Sequence, residues 1–520
     1  VLAALRRALA ALGPRRRFLA VALPLALFFV WPLWAARIIP LHDLPNHLAR
    51  ITALHYVNDP RWNLSPYYQR SLQLVPYLGH FYLVHLLTYV FRDVTLANRV
   101  FMSAYLVSAP LCGLAFARAT GRSPWLALFT LPLAVSLYFQ WGFISFCAGA
   151  LLLLPALAAL FRLLDEPSRR GAVAVAAWCA TLYLFHIVPW SAFGLYACLL
   201  LVVELAQRRW RGPLLAVLAM LPSLVMMLIG VLQARSFGYF GKGGWDAQMD
   251  TPGRLMQRAL AMINLWNPSE RDEWIALSLM LLLLLLVVSD AGPTPDEPLR
   301  RRLRIPLAFV TFVALAFFTP FWIRRPFNWW MINQRFLLPA ALLAIFFPRG
   351  ALRGWRAALM TAAVAVMLLL PPSLAKAYRD FSRRAEPLIA LIEETPLGSN
   401  TLLLHSPPGH RQFQDPQLAP EMTYWREMYN YPLVLRGGYD PYIYDDGFPI
   451  KRIRALPAPK VERAAELIYT PDEQRFNPAT MLKDWDYYIV ADDNLESMPV
   501  DGVGKVQAAG RWVLLRNLTK

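Results

Sequence analysis

The sequence predicts a polytopic α-helical membrane protein with a small α/β domain at its carboxyl end. Three observations carry that fold class. Of the 520 residues, 57% are hydrophobic and only 17% are charged, against an apolar share of roughly 45–50% in soluble domains. Apolar runs close to the ~20 residues that cross a hydrocarbon core recur from residue 18 to about residue 372. From about residue 373 the composition turns polar and rich in Pro, Gly and Tyr, and about 140 residues are enough for a separate core. The formal net charge is +18, yet the arginines sit in breaks between apolar runs, where positive charge sets orientation. Nucleic acid is therefore not an expected partner.

The first apolar run, 18–37, follows the basic leader "LRRALAALGPRRR" and continues through Trp31 and Trp34 without a small-residue cleavage site, so it reads as a retained helix. Further candidate spans are 72–91, 99–118, 124–140, 143–164, 171–188, 190–207, 213–232, 275–289, 305–322, 335–348 and 355–372. The basic breaks "RRALAALGPRRR", "ARATGR", "RLLDEPSRR", "QRRWR", "DEPLRRRLR" and "PRGALRGWR" should all face the cytoplasm. They do so if 72–91 is interfacial or re-entrant, and its Pro76, Gly79, His80 and His85 suit such a place better than a lipid-facing span. About eleven spans follow, in the range of 10–13, with the amino terminus inside a bacterial inner membrane. Residues 1–372 then form the membrane unit and 373–520 an outer α/β domain.

Two outer regions are too large to be simple connectors. Residues 38–98 contain "HDLPNHLARITALHY", where Leu44, Leu48, Ile51 and His55 follow helical spacing and predict an amphipathic helix lying on the membrane. Residues 234–274 are rich in glycine and aromatics, and the glycines of "FGKGGWD" suit either a mobile lid or a plain turn. In the tail, "NTLLLHSP", "PLVLRGGY", "DYYIVADD" and "RWVLLRN" read as buried strands and "RAAELIY" as a helix fragment. Cys112, Cys147, Cys179 and Cys198 lie singly inside apolar runs, which suits core packing and argues against zinc or disulfides.

The polar groups that could do chemistry gather at the predicted outer ends. Asp43 follows the first helix, flanked by His42 and His47. It can act as a general base, as an oxygen ligand to a divalent metal, or as the N-cap of a helix opening at Leu44 and Pro45. Asn46 and Arg50 on the same helix, and Gln140 in the outer turn "LYFQWGFISF", are candidates for substrate binding. His186 in "LYLFHIVPW" lies where a polar side chain is costly unless it faces a cavity. Arg324, Arg325 and Arg335 fall outside against the positive-inside tendency; a lipid phosphate accounts for them, as does snorkelling to headgroups. Lys242 and Asp246 flank the glycines of the second outer region, while Tyr239, Phe240, Trp245 and Trp266 there suit either a sugar or an aromatic belt. His80 and His85 are spaced for packing rather than joint ligation, and Asp445 and Asp446 read as a solvated turn.

The layout of a first helix, a large outer loop opening on the acidic "HDLPNH", many further spans and an outer carboxyl domain resembles the C-type glycosyltransferase superfold (GT-C). Protein O-mannosyltransferases, aminoarabinose transferases and oligosaccharyltransferases belong to that group. "QRFLLPAALLAIFF" at 334–347 and the closing "DYYIVADD" and "GRWVLLRN" are similar to late segments of bacterial members. The resemblance implies transfer of a sugar, with inversion, from a polyprenyl-phosphate donor to a periplasmic lipid, glycan or protein. It also implies that Asp43 is the base or the ligand of a divalent metal such as Mg or Mn. Many members carry a second carboxylate at the outer end of a following helix; the comparable turn here offers Gln140 and Trp141 instead.

Two rival functions stand beside this one. A transporter or flippase of lipid-linked intermediates would be expected to show inverted repeats with broken helices at the midplane, and no such symmetry is evident in the sequence. A catalytically silent glycolipid-binding relative would keep the layout without turnover.

Overall fold

The structure is a computed structural model, and it describes residues 13–71, 73–236, 245–261, 271–289, 298–325, 329–404, 425–443, 449–456, 484–491 and 502–520. Its helices are α1 (Pro14–Trp34), α2 (Leu44–Tyr56), α3 (Leu78–Phe91), α4 (Val94–Ala119), α5 (Thr130–Ala134), α6 (Leu137–Gln140), α7 (Ile144–Asp165), α8 (Arg169–Phe185), α9 (Ile187–Ala206) and α10 (Arg211–Ser236). They continue as α11 (Pro252–Ala261), α12 (Arg271–Val288), α13 (Leu299–Phe318), α14 (Ile332–Arg335), α15 (Leu337–Ala344), α16 (Trp355–Met367), α17 (Leu370–Glu394) and α18 (Tyr431–Arg436). Six of the described helical stretches are long and apolar enough to cross a membrane, the last being the joined α16 and α17.

Burial sorts these helices. The α7 helix is apolar all round and almost wholly enclosed, as a helix at the centre of a bundle must be. By contrast, α10 leaves Leu214, Leu218, Leu221, Leu228 and Leu232 exposed, a surface suited to lipid rather than water. Local signals set the ends. The carboxylates and hydroxyls of Asp93 and Ser168 accept the N–H groups of Leu96 and Gly171, capping α4 and α8. Of the predicted spans, 124–140 is not one helix but a 3-10 turn followed by α5 and α6. Pro124 and Pro132 deny that segment the N–H groups of a continuous helix. The run 335–348 is likewise split into α14 and α15. At 14 residues, α3 is about 21 Å long, short of a ~30 Å hydrocarbon core.

The basic breaks meet at one end of the bundle. Arg304 donates both Nη atoms to Asp165 at 2.9 Å, and Arg209, Arg300 and Arg304 surround the buried Glu204 at 3.3, 3.4 and 3.5 Å. Arg122 donates to the Phe346 carbonyl at 3.1 Å and Arg349 to that of Arg302 at 3.4 Å. Five breaks far apart in sequence thus share one end, as charge parity requires of loops on one side.

At the other end, α17 leads from the bundle into the carboxyl part of the chain. Its Leu374, Tyr378, Phe381, Ala385, Leu388 and Ile392 are buried at steps of three and four, so one stripe faces inward along the whole helix. Beyond it lies a sheet of order β5-β7-β9-β8, from Thr401–Leu404, Tyr487–Ala491, Trp512–Asn517 and Val503–Ala509. The β5/β7 pair is parallel and the others antiparallel. One expected strand is instead helical: "PLVLR" forms α18, started by Pro432 and closed by Gly437 at φ 76°. An apolar run that short does not distinguish the two. Two small sheets complete the fold, β1 (Tyr68–Arg70) with β6 (Ile450–Arg452), and β2 (Asp246–Gln248) with β3 (Trp322–Arg325) and β4 (Trp329–Trp330).

The helix expected to lie amphipathically on the membrane, α2, is enclosed instead. All residues from Leu44 to Leu54 except His47 fall in the buried class. The helix is wedged between α3 and α4 on one side and α18, β1 and β6 on the other. Its polar residues face protein, which no periodicity distinguishes from facing water. Cys112, Cys147 and Cys179 are buried and Cys198 is exposed. "RAAELIY" and the pair Asp445 and Asp446 lie outside the described residues.

Candidate active site

Asp43 is held by its backbone from both sides. The turn before it is clipped down: Arg99 donates to the carbonyls of Ala36 and Arg37 at 3.0 and 2.8 Å, and the N–H groups of Arg37 and Ile38 donate to the Ser382 hydroxyl at 3.1 Å. The His42 and Asp43 N–H groups then donate to the carbonyls of Gln140 and Trp141 at 2.9 and 3.0 Å. This crossing needs a glycine, since Gly142 has φ +80° and a Cβ there would stand 2.7 Å from the Asp43 nitrogen.

The side chain of Asp43 is not spent as a cap. Asp43 is the residue before α2, yet its carboxylate takes no capping hydrogen bond from that helix, and Pro45 lacks one of the N–H groups a cap would satisfy. It is 18% exposed, with the nearly buried His42 Nε2 3.9 Å from Oδ1. The His42 ring meets Trp141 edge to face at 4.8 Å. Gln140 is buried, and its Oε1 accepts from the Tyr378 hydroxyl at 3.1 Å, which ties the Asp43 turn to α17.

A second group of polar residues adjoins the same turn. Arg335 Nη1 lies 2.9 Å from His186 Nε2, and the Val188 N–H donates to His186 Nδ1 at 3.0 Å, so this histidine begins α9. The Arg335 guanidinium lies 4.3 Å from the centre of the Phe143 ring. Trp141 bridges the two groups, with Phe143 at 6.0 Å on one side and Trp330 at 5.5 Å on the other. The line from Asp43 through Trp141 and Phe143 to Arg335 and His186 is therefore continuous, and aromatic between its polar ends.

The remaining sequence candidates are placed less centrally. His47 is partly buried, with a hydrogen bond to the Gly142 backbone; desolvation of its ring drives its basicity well below that of an ordinary imidazole, and His80 and Arg50 add to the effect. Asn46 donates toward Asn430 Oδ1 and the Tyr442 carbonyl at 3.4 Å, on the side of the carboxyl part. Arg50 lies over Phe81 at 5.0 Å. His80 bonds Asn98 at 2.7 Å and His85 faces His55 at 3.1 Å, packing roles as expected. Arg324 is exposed on β3, stacked on Trp322 at 4.5 Å and donating to Gln248 Oε1 at 3.3 Å. Asp246 is the register partner of Arg325 across β2 and β3. Lys242, Tyr239, Phe240 and Trp266 lie outside the described residues, and Trp245 is exposed.

Two polar residues near this group were not singled out in the sequence. Asn333, just before Arg335, donates to Asp250 Oδ2 at 2.9 Å, which brings a carboxylate of the second outer region to the arginine side of the site. The signal was present: "HDLP" and "MDTP" both set an aspartate two residues ahead of a proline that opens a helix. Among the described residues no group of three or more His, Cys, Asp or Glu is arranged to hold a metal. A divalent cation at Asp43 would draw most of its ligands from water and from a phosphate, the usual habit of Mg²⁺.

Compared as a sequence, the chain matches no family model and no curated protein. Compared as a structure, it is similar to the crystal structure of ArnT from Cupriavidus metallidurans bound to undecaprenyl phosphate, with a TM-score of 0.54 over 96% of this chain and 97% of that one. The two are 13% identical, so the likeness is one of fold: a GT-C-like, polytopic helical membrane architecture with a small strand-bearing carboxyl part.

Proposed function

We propose that this protein is a membrane glycosyltransferase that moves a sugar from a polyprenyl-phosphate donor to an acceptor at the outer face of a bacterial inner membrane. The observation that carries the reading is Asp43: a carboxylate fixed by two backbone hydrogen bonds, released from capping and still reachable from solvent. Such a group is positioned to take the proton of an acceptor hydroxyl as it attacks the sugar carbon. It stands in an ArnT-like fold, and that relative was crystallised with undecaprenyl phosphate.

The other residues divide the work by chemistry. Arg335 binds the donor phosphate, because a guanidinium presents paired N–H groups to phosphate oxygens. His186 stands against that guanidinium before the donor arrives, Arg324 on β3 adds positive charge, and Arg325 and Lys242 are further candidates for substrate binding. Trp141, Phe143 and Trp330 form the apolar wall beside the sugar, keeping water from competing with the acceptor. His42 and Gln140 fix the orientation of the Asp43 turn. When a divalent cation such as Mg²⁺ or Mn²⁺ is bound, it supplies positive charge to the departing phosphate, with Asp43 as its protein ligand. The basic breaks face the cytoplasm, and the Asp43 end, with residues 373–520, faces the periplasm.

The test is turnover of radiolabelled polyprenyl-phosphate sugars by purified protein in detergent, comparing wild type with Asp43→Asn, with and without added Mg²⁺ or Mn²⁺. Sugar release or transfer that disappears in the variant supports the assignment. Equal turnover in both proteins removes Asp43 from the reaction, and donor binding with no turnover in either points to a silent or transporting relative.

A further inference from the structure

A cleft of about 500 Å³ opens at the far end of α2 from Asp43, lined by His55, Tyr56, Arg61, Trp62, Thr88, Tyr89, Arg92 and Leu397. With 13 residues in α2, it lies about 20 Å along the helix from the candidate active site, and nothing in the proposed transfer uses it. Tyr56 and Trp62 stack at 4.1 Å and form a flat aromatic wall. Tyr89 meets His55 at 4.6 Å. Tyr56 is locked in place because its hydroxyl donates to the Arg92 carbonyl at 3.1 Å.

Charge in the cleft is unevenly spent. Arg61 is held bidentately by Asp59, at 3.0 and 2.7 Å. The Asp93 carboxylate is taken up by Thr95 and by the Leu96 N–H. Arg70 is turned onto the carbonyls of Leu54 and His55. Arg92, exposed and lining the cleft, makes no ion pair among the described residues. It directly follows α3, whose Leu83, Leu86 and Val90 form an exposed stripe with Tyr89 and Phe91 beside it. In a bilayer that stripe faces acyl chains, so the aromatic and cationic cleft at its end falls at headgroup level, where Trp, Tyr and Arg bind lipids best.

We propose that this cleft binds the phosphodiester headgroup of an anionic phospholipid, with Arg92 on the phosphate, the Tyr56 and Trp62 wall against the glycerol, and the α3 stripe along the chains. The site is independent of the transferase reading and is tested without it. Binding of dioctanoyl phosphatidylglycerol to the full-length protein in detergent is measured by calorimetric titration, beside dioctanoyl phosphatidylcholine and inorganic phosphate. Phosphatidylglycerol should bind at least fivefold tighter than phosphatidylcholine. Arg92→Gln should weaken it at least fivefold, Trp62→Ala severalfold, and Arg211→Gln, at the other end of the bundle, should not. Arg92→Lys, which keeps the charge, should retain most of the affinity and serves if Arg92→Gln is poorly folded. Equal affinity for the two lipids, or unchanged binding in both Arg92→Gln and Trp62→Ala, overturns the proposal. Inorganic phosphate binding as tightly as phosphatidylglycerol overturns the lipid as its ligand.

Discussion

The Asp43 N–H donates to the Trp141 carbonyl at 3.0 Å, and Gly142, the next residue, passes so close that a Cβ would stand 2.7 Å from the same nitrogen. This contact, between segments about a hundred residues apart, places the candidate base. Gly142→Ala meets two obstacles, the clash and a positive φ, and the backbone strain alone is of order 1–2 kcal/mol. The variant should fold with a lowered unfolding temperature and lose most of its transfer activity, because relief of the clash displaces Asp43. Unfolding and activity measured on the same preparation check this; full activity would mean that the position of Asp43 does not matter.

Asp43→Asn separates chemistry from architecture. Since the carboxylate is not the cap of α2, the substitution should change stability by no more than about 0.5 kcal/mol, as for sites away from a structural feature. Loss of a general base costs roughly 10²–10⁴ in rate. The expected outcome is an unshifted unfolding curve with kcat reduced at least a hundredfold. A large loss of stability would mean that the charge of Asp43 holds this turn, since asparagine caps a helix as well as aspartate does.

His186 presents its two ring nitrogens to two donors, the Val188 N–H and Arg335 Nη1. A neutral imidazole has one acceptor nitrogen, so the two bonds compete, and a phosphate that draws Arg335 away relieves the conflict. Arg335→Gln should therefore raise the donor KM tenfold or more, a charge-assisted contact being worth about 1.5–3 kcal/mol. His186→Asn should alter KM less. Steady-state kinetics with a polyprenyl-phosphate sugar gives both values; equal KM in all three proteins would take Arg335 out of the donor site.

The candidate residues were chosen on local signals: "HDLPNH" for Asp43, a polar side chain in an apolar run for His186, and arginines against the positive-inside pattern for Arg335. What could not be read was long-range pairing. The position of the Asp43 turn depends on Gln140 and Trp141, and the enclosure of α2 depends on α18 and β6 from the carboxyl part. The helix of "PLVLR" was lost for another reason: five residues fit strand and helix periods alike, and the decision fell to Pro432 and Gly437. The parity of the basic breaks was legible because it sums many arginines, so an error at one break changes little.

Burial of His47 makes a statement about pH. Its folded-state pKa lies well below the ordinary value, so the unfolded chain takes up a proton below about pH 6.5 that the folded chain refuses. Above that pH the group is neutral in both states and contributes no slope. As the pH falls, stability is lost at up to ~1.4 kcal/mol per unit, and His55, whose pKa is also lowered by burial and by Arg70, acts in the same direction. Unfolding temperatures at pH 7.5, 6.5 and 5.5 should decline chiefly over the last interval, and His47→Gln should flatten that decline. A variant with the same acid slope as wild type would place the sensitive group elsewhere.

The opposite end of the bundle offers a test that leaves the active site untouched. Asp165 and the buried Glu204 share Arg300 and Arg304, with the two Arg304 bonds to Asp165 at 2.9 Å, so three loops are clamped by one charge network. Arg304→Met leaves two carboxylates sharing fewer cations, and breaking a buried pair from one side costs about 3–5 kcal/mol. Adding Glu204→Gln removes one of those charges and should recover part of the loss, because the cost lies in the uncompensated anion. Thermal inactivation followed in wild type, the single variant and the double variant should give that order of half-lives, with the single variant shortest. If the double variant is the least stable, the network holds the loops through packing of its long side chains, and the charge balance at this end is incidental to stability.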